Sequence, residues 1–284
     1  MHPATRLRQL LTGPELVIAP GVYDAITARL AQQAGFAALY MTGAGVSASL
    51  GYPDYGLITL SEMVDRAGVI ASATPLPLVS DADTGYGNEL NVTRTVREFE
   101  ARGVAAIHIE DQVSPKRCGH LDGKVLVARD EFAAKIRAAV AARRNPDFII
   151  IARSDARSVN GLDDAIERIN AALAAGADLA FVESPVSVEE VAAIPRRVHG
   201  PCLLNIVQGG KTPVFDLRDV REMGYRLAIV PAATLVPTIV AVDAALAALR
   251  ASGIVAQTPA GLDVRALFRR FGADEWDAVR AEYA

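Results

Sequence analysis

The chain has 284 residues, 51% hydrophobic and 22% charged, enough apolar material for a large buried core. Its formal net charge is −4, and its basic residues are scattered along helical patterns, which argues against a nucleic-acid footprint. Two cysteines, Cys118 and Cys202, exclude a disulfide framework, and the opening MHPATRLRQL carries no signal-peptide pattern, so the expectation is a cytoplasmic protein.

In chain order, eight short apolar runs read as strands: ELVIAPG, FAALYMTG, LPLVSDAD, VAAIHIED, DFIIIARSD, DLAFVESP, PCLLNIV and YRLAIVPA. Each is too short for a helix and ends in polar or turn residues. Between them lie amphipathic stretches such as YDAITARLAQQAG, TLSEMVDRAGVIASA, NVTRTVREFEARG and GLDDAIERINAALAAG. Gly35, Gly103, Gly176 and Gly224 stand where left-handed caps would stop helices before the next strand. Regular βα alternation predicts a parallel sheet, and eight units predict a (β/α)8 barrel of the TIM type, with a doubly wound open sheet as the alternative. The reading is one barrel domain over 1–284, with a helical extension at 235–284 that exceeds what one barrel needs. The apolar run TLVPTIVAVDAALAAL within it is broken by Pro237 and Asp243, so a packed helix is expected there and no membrane span.

Active sites of such barrels sit at the C-terminal ends of the strands. Thr42, Asp81, Asp83, Glu110, Arg153, Glu183 and Asn205 all end successive runs. Any one of these could be a turn or cap residue; seven of them predict a common mouth. Asp81 and Asp83 are two apart, so on an extended strand they would share a face. With Asp54 in GYPDYG and Glu110, they make four carboxylates whose repulsion calls for a hard cation, Mg²⁺ or Mn²⁺, with few direct protein ligands and several waters.

The loop after the fourth run contains Lys116-Arg117-Cys118-Gly119-His120. Lys116, Arg117 and His120 are expected to favour the Cys118 thiolate, which would suit a nucleophile or a proton carrier. Cys202, inside PCLLN, reads as core. A metal beside a movable cysteine favours chemistry in which the ion stabilises an enolate and the thiol delivers a proton to carbon.

These segments, with GVYDAITARLAQQAGF, YMTGAGVSASLGYPDYGLITL, DADTGYGN, IIARSDA and NIVQGGKTP, resemble the isocitrate lyase and phosphoenolpyruvate mutase superfamily over nearly the whole chain. The resemblance is strongest to its short lyases, of the methylisocitrate lyase and 2,3-dimethylmalate lyase type. It implies Mg²⁺ bound directly at Asp81, with Asp54, Asp83 and Glu110 acting largely through its waters. It implies a 2-hydroxy di- or tricarboxylate gripped by Thr42, Gly43, Ala44 and Arg153, with Glu183 and Asn205 completing the pocket. Gly119 and His120 would close over the substrate, Cys118 would protonate the carbanion left by retro-aldol cleavage, and the terminal helix would be swapped within a homotetramer. Gln208 stands where the dimethylmalate lyase form of the motif has glutamate, so the pocket charge is expected to shift by about one unit. The alternatives are an oxaloacetate hydrolase, which Pro231 argues against, a phosphonate mutase, which the KRCGH loop argues against, and a non-catalytic carboxylate binder.

Overall fold

Side-chain parity along the strands organises this molecule. The computed structural model describes residues 1–213 and 215–284. In chain order these form α1 (Pro3–Thr12), β1 (Val17–Val22), α2 (Ala25–Gln33), β2 (Leu39–Met41), α3 (Gly43–Ser49) and α4 (Leu60–Ala73). There follow β3 (Leu78–Asp81), α5 (Glu89–Ala101), β4 (Ala106–Glu110), α6 (Arg129–Ala142), β5 (Ile149–Ser154) and α7 (Leu162–Ala174). Then come β6 (Leu179–Val182), α8 (Val188–Arg197), β7 (Cys202–Asn205), α9 (Leu217–Glu222) and β8 (Leu227–Val230). The last helices are α10 (Leu235–Ser252), α11 (Val264–Arg269) and α12 (Ala273–Glu282).

The eight strands form a closed parallel barrel in sequence order, β8 pairing back onto β1. All eight expected runs are strands, and the closed sheet rules out the doubly wound alternative. Gly35, Gly103, Gly176 and Gly224 have φ values of 89, 80, 106 and 100°, the left-handed caps expected of them. Helix starts are fixed by side chains: Asp24 with Thr27, and Thr59 with Glu62, form reciprocal capping boxes.

Two apolar clusters follow from the period of two. Inside the barrel pack Val17, Ala19, Tyr40, Val79, Ile149, Ile151, Leu179, Phe181, Leu203, Leu227 and Ile229. Their alternates, including Leu39, Met41, Ile107, Ile150, Ala180 and Leu204, pack outward against the helices. Helix α1, absent from the sequence reading, joins the inner cluster through Ala4 and Leu7. Its amphipathic signal is short, because only Ala4 and Leu7 of its ten residues are buried. Gly21 on β1 lies so close to the carbonyl of Pro231 beyond β8 that a Cβ there would collide with backbone.

The chain divides into two compact units, Met1–Leu235 and Val236–Ala284. The first is the barrel. In the second, α10 runs on as an 18-residue helix of mean hydropathy 1.6, long and apolar enough by composition to cross a membrane. No residue of α10 to α12 is buried, and Val240, Ile254, Trp276 and Tyr283 are among the apolar side chains left exposed.

Candidate active site

Following inward parity to the C-terminal end of each strand reaches Asp81, Glu110, Arg153 and Asn205, and on β6 the next inward residue, Glu183. Register makes neighbours of these ends: Glu110 pairs with Arg153, and Asp81 with His108. A cavity of about 140 Å3 opens at this end of the barrel. Its polar lining is Tyr40, Thr42, Asp54, Asp81, Arg153, Glu183 and Asn205, with Ala44 beside them. The loop between β4 and α6 supplies Cys118, Gly119 and His120, while Val207, Pro231, Ala232 and Leu235 form an apolar wall.

Arg153 is the electrostatic hub. Its Nε donates to Asp155 Oδ2 at 2.9 Å, and its Nη1 and Nη2 lie 3.2 Å from Glu110 Oε2 and 3.4 Å from Glu183 Oε2. Asn205 Nδ2 donates to Glu183 Oε2 at 3.1 Å. Burial pushes the Glu110 carboxyl well above its usual range despite Arg153, and its Oε2 is within ion-pair distance but has no directed hydrogen bond. Gly119 presses on the same cluster: a Cβ there would lie 2.6 Å from Arg153 Nη2 and from Glu183 Cγ. Only glycine lets the loop backbone come this near.

The second cluster is built on a lysine. Lys116 Nζ lies 2.5 Å from Asp54 Oδ1 and 3.0 Å from Asp83 Oδ1. Burial opposes its charge, but Asp83, Asp54 and Asp81 outweigh it, and the ammonium is held well above its ordinary pKa. Asp83 moves the other way: burial, reinforced by Asp81 and Asp54, outweighs Lys116 and raises it to about 6. Burial also works against Asp81, yet His108, Lys116 and Arg153 hold it at about 2. Four carboxylates thus coexist partly because Lys116 and Arg153 stand among them, an internal answer that charge counting along the sequence did not anticipate.

Three expectations require correction. Asp81 and Asp83 do not share a strand face: β3 ends at Asp81, and Asp83 turns off it at φ 46°, its N–H donating to Asp81 Oδ1 at 2.9 Å. This side-chain-capped turn competes with strand continuation. Nor is Cys118 tuned towards the thiolate. Burial, then Asp54, pushes its thiol above the ordinary value, because Lys116 is committed to Asp54 and Asp83, and burial has also driven the His120 pKa down. Arg117 is exposed and outside the cavity lining; its backbone N–H bonds Gln112 Oε1 at 3.0 Å. Gln208 is likewise exposed and outside the lining, which at that loop is Val207, so no change in pocket charge follows from it.

Thr42 N-caps α3, which follows β2 directly. Gly43 packs so closely on Asp81 Oδ2 that a side chain is excluded. His120 accepts the Lys211 N–H at Nδ1, 3.0 Å, which leaves the ring proton on Nε2 facing Glu183 Oε1 at 3.4 Å. Cys202 is core, its thiol raised to about 12 by burial. Sequence reasoning missed Tyr40 and His108, whose hydroxyl and Nε2 are 2.9 Å apart beside Asp81. Burial lowers the His108 pKa to about 4, leaving a neutral ring. Both lie on the inward parity of ALYMT and AIHIE, the signal that could have found them.

Comparison with known proteins bears on this arrangement. The family model described as phosphoenolpyruvate phosphomutase matches residues 7–250. The chain is 49% identical over 236 residues to a 2,3-dimethylmalate lyase of Eubacterium barkeri, covering 83% of this chain and 82% of that protein. This chain belongs to the phosphoenolpyruvate mutase and isocitrate lyase superfamily. A 2-methylisocitrate lyase of Aeropyrum pernix is 48% identical over 233 residues, 82% of this chain and 75% of its own. Among solved structures, oxaloacetate acetylhydrolase in complex with 3,3-difluorooxalacetate superposes with a TM-score of 0.96 at 43% identity, covering 99% of this chain and 97% of the other. A phosphonopyruvate hydrolase complex with oxalate and Mg²⁺ gives 0.90 at 31%, covering 100% and 99%. The chain is an enzyme of the superfamily, a carbon–carbon lyase, and its (β/α)8 barrel is the fold of that group.

Proposed function

We propose that this superfamily member cleaves the C2–C3 bond of a 2-alkylmalate, a 2-hydroxy dicarboxylate of the 2,3-dimethylmalate kind, releasing a 2-oxo acid and a saturated carboxylate. The observation that carries the reading is the placement of the Cys118 thiol and an apolar wall in one cavity. A thiol above its ordinary pKa is a proton donor at neutral pH, as protonation of a carbanion requires. The wall of Val207, Pro231, Ala232 and Leu235 suits an alkyl substituent. A third carboxylate would need its own cation there. Among the described lining residues, Arg153 is the fixed cation, and three protein carboxylates already surround it. Burying an unpaired carboxylate costs several kcal/mol, which disfavours a tricarboxylate such as 2-methylisocitrate.

The residues divide the work as follows. Arg153, Asn205 and the backbone at Gly43 and Ala44 hold the substrate carboxylates. Glu183 orients Arg153 and Asn205. As the C2–C3 bond breaks, the C2 hydroxyl gives its proton to a carboxylate of the acidic cluster, from which it returns to Cys118 Sγ after product release; C2 becomes a carbonyl, while the bonding pair stays on C3 beside its carboxylate. Cys118 Sγ gives its proton to C3, and Gly119 and His120 keep water from the carbanion.

The carboxylate cluster fits a hard divalent cation. Glu110 Oε2 is a buried oxygen without a directed hydrogen bond, and Asp83 Oδ1, paired with Lys116 at 3.0 Å, lies close to an ionised Asp81. Among the described residues no three carboxylate, imidazole or thiol groups converge as a cage; an ion held here would keep several of its waters, as Mg²⁺ usually does. Asp81 would hold the ion in this reading, with Asp54, Asp83 and Glu110 acting largely through its waters; Mg²⁺ is favoured over Mn²⁺ by the solved relative that carries it. When bound, the ion supplies positive charge that stabilises the developing oxyanion.

The enzyme is proposed to work in the cytoplasm as a homotetramer with its last helices exchanged between copies; the exposed apolar residues of the second unit support this, and light scattering after size exclusion tests it. The test of function is 2-oxo acid release with and without Mg²⁺. The expected result is turnover of 2,3-dimethylmalate or another 2-alkylmalate, with kcat/KM at least about 10²-fold above 2-methylisocitrate. Silence with every 2-hydroxy acid, alongside oxalate release from oxaloacetate, would move the assignment to a hydrolase.

A further inference from the structure

Lys124 stands at the far foot of the Cys118 loop, where the sequence reading assigned nothing. A lysine is almost never buried without a paired charge. This one is: the Lys124 and Asp155 side chains are 1% and 0% exposed, with Nζ 2.9 Å from Asp155 Oδ1. The same ammonium donates to the carbonyl of Gly119, five residues back along the loop. That carbonyl also accepts the Ser184 hydroxyl at 2.9 Å.

The partners of these partners give the contact its meaning. Asp155 holds Lys124 with one oxygen and Arg153 Nε with the other, at 2.9 Å, and its own N–H is fixed on Asp111 Oδ1 at 2.9 Å. One rigid carboxylate therefore anchors both the cation that faces the cavity and the cation that ties down the loop. Gly119 lies directly on Arg153 and Glu183. Backbone ties within the loop are Leu121 N–H to Cys118 carbonyl at 2.9 Å and Val113 N–H to Val125 carbonyl at 2.8 Å. Its N-terminal half is held separately, by Lys116 on Asp54 and Asp83 and by the Gln112 side chain on the Arg117 backbone, so Lys124 is an anchor specific to Gly119. Cys118, Gly119 and His120 form one side of the cavity, and any opening of the loop that carries Gly119 away removes an acceptor from a buried ammonium. The open loop is penalised by that loss, since a buried donor left unmade is costly.

We propose that Lys124 is a positioning residue, a latch that sets loop closure over the cavity and, through Asp155, couples it to the placement of Arg153. The inference rests on the cavity being the substrate site proposed above, but its first test needs no substrate.

Hydrogen exchange of the full chain is followed by mass spectrometry for the wild type and for Lys124→Met, Lys124→Arg and Ser184→Ala. Lys124→Met is expected to speed exchange across 113–125 by at least about 10-fold, the scale of one lost hydrogen bond to a charged group, while β5 and β6 amides keep their rates. Lys124→Arg restores part of the protection, and Ser184→Ala loosens the loop by a smaller factor. In steady state, with the 2-hydroxy acid the wild type accepts, Lys124→Met lowers kcat about 10- to 100-fold, the effect of a misplaced reacting group, and changes KM much less. Unchanged loop exchange in folded Lys124→Met, or an equal rise in every peptide, overturns the latch. Should Lys124→Met not fold, unchanged loop exchange in Ser184→Ala overturns it instead. A loosened loop in a chain that turns over no 2-hydroxy acid keeps the latch and removes the proposed function.

Discussion

Lys116 Nζ and Asp83 Oδ1 meet at 3.0 Å inside the barrel mouth, and the lysine reaches them from the same loop that carries Cys118. The same ammonium holds Asp54. The loop thus supplies a counter-ion of its own to the acidic cluster. Replacing Lys116 by methionine leaves two largely buried carboxylates without it. Loss of one partner of a buried pair costs about 3–5 kcal/mol, and denaturant unfolding at pH 8 should show a penalty of that order. Asp83 is raised to about 6, so it can neutralise itself in acid. The penalty should therefore shrink by pH 5; one that is the same at both pH values would place Lys116 elsewhere.

Cys118 carries the sharpest chemical prediction. Its thiol is raised by burial and by Asp54, so the reactive thiolate is scarce at neutral pH and grows only as pH passes the ordinary thiol value of 9.0. Iodoacetamide alkylation of Cys118 should be slow at pH 7 and still rising above pH 9. A rate already level at pH 7 to 8 would restore the activated thiolate that the flanking cations suggest. Cys118→Ser should leave oxalate binding nearly unchanged and lower turnover at least about 10²-fold, the scale of a lost general acid; retained turnover would remove Cys118 from the reaction.

Asp111 gives a pH test away from the metal cluster. It accepts the Ser154 hydroxyl at 2.7 Å and the Asp155 N–H at 2.9 Å, and it faces Arg168 at 3.4 Å. Burial, then the neighbouring Asp155, outweighs Arg168 and raises it to about 6. A carboxyl whose folded pKa exceeds the unfolded value of 3.8 favours the fold fully below that value, and this contribution is lost as pH rises through 6. Two pK units correspond to about 3 kcal/mol. Asp111→Asn imitates the protonated form, so its stability relative to wild type should improve by up to that amount between pH 4 and pH 8 in urea titrations. A relative stability independent of pH would show that Asp111 titrates normally.

The barrel was legible because both of its periods are written in the chain: eight apolar runs, each closed by a polar residue, and helices capped by glycine. The polar strand ends were legible for the same reason, since Asp81, Glu110, Arg153 and Asn205 continue the inward parity of Val79, His108, Ile151 and Leu203. What lay beyond reading was long-range partnership. Nothing local says that Lys116 reaches Asp54 and Asp83 rather than its neighbour Cys118, or that Asp155 is shared by Arg153 and Lys124. The thiol pKa was misjudged because adjacency in sequence was taken as adjacency in space, and because burial, invisible in KRCGH, is its largest cause.

The last prediction separates Gln208 from Val207. Gln208, where the resemblance to the dimethylmalate lyase motif leads one to expect glutamate, invites a specificity role, but the side chain is exposed and its neighbour Val207 lines the cavity. At an exposed site one charge is strongly screened by solvent and salt. Gln208→Glu should therefore change kcat/KM for a 2-alkylmalate by less than about 3-fold, the size of a surface electrostatic effect. Val207→Ala removes two methyl carbons from the apolar wall, at about 0.8 kcal/mol per carbon. It should lower kcat/KM for the preferred short-chain substrate by roughly 10-fold, while a substrate with one more methylene loses less. Measuring both variants against a homologous series of 2-alkylmalates tests the assignment directly: a large effect of Gln208→Glu with none from Val207→Ala would mean that the loop after β7 presents its other face to the substrate.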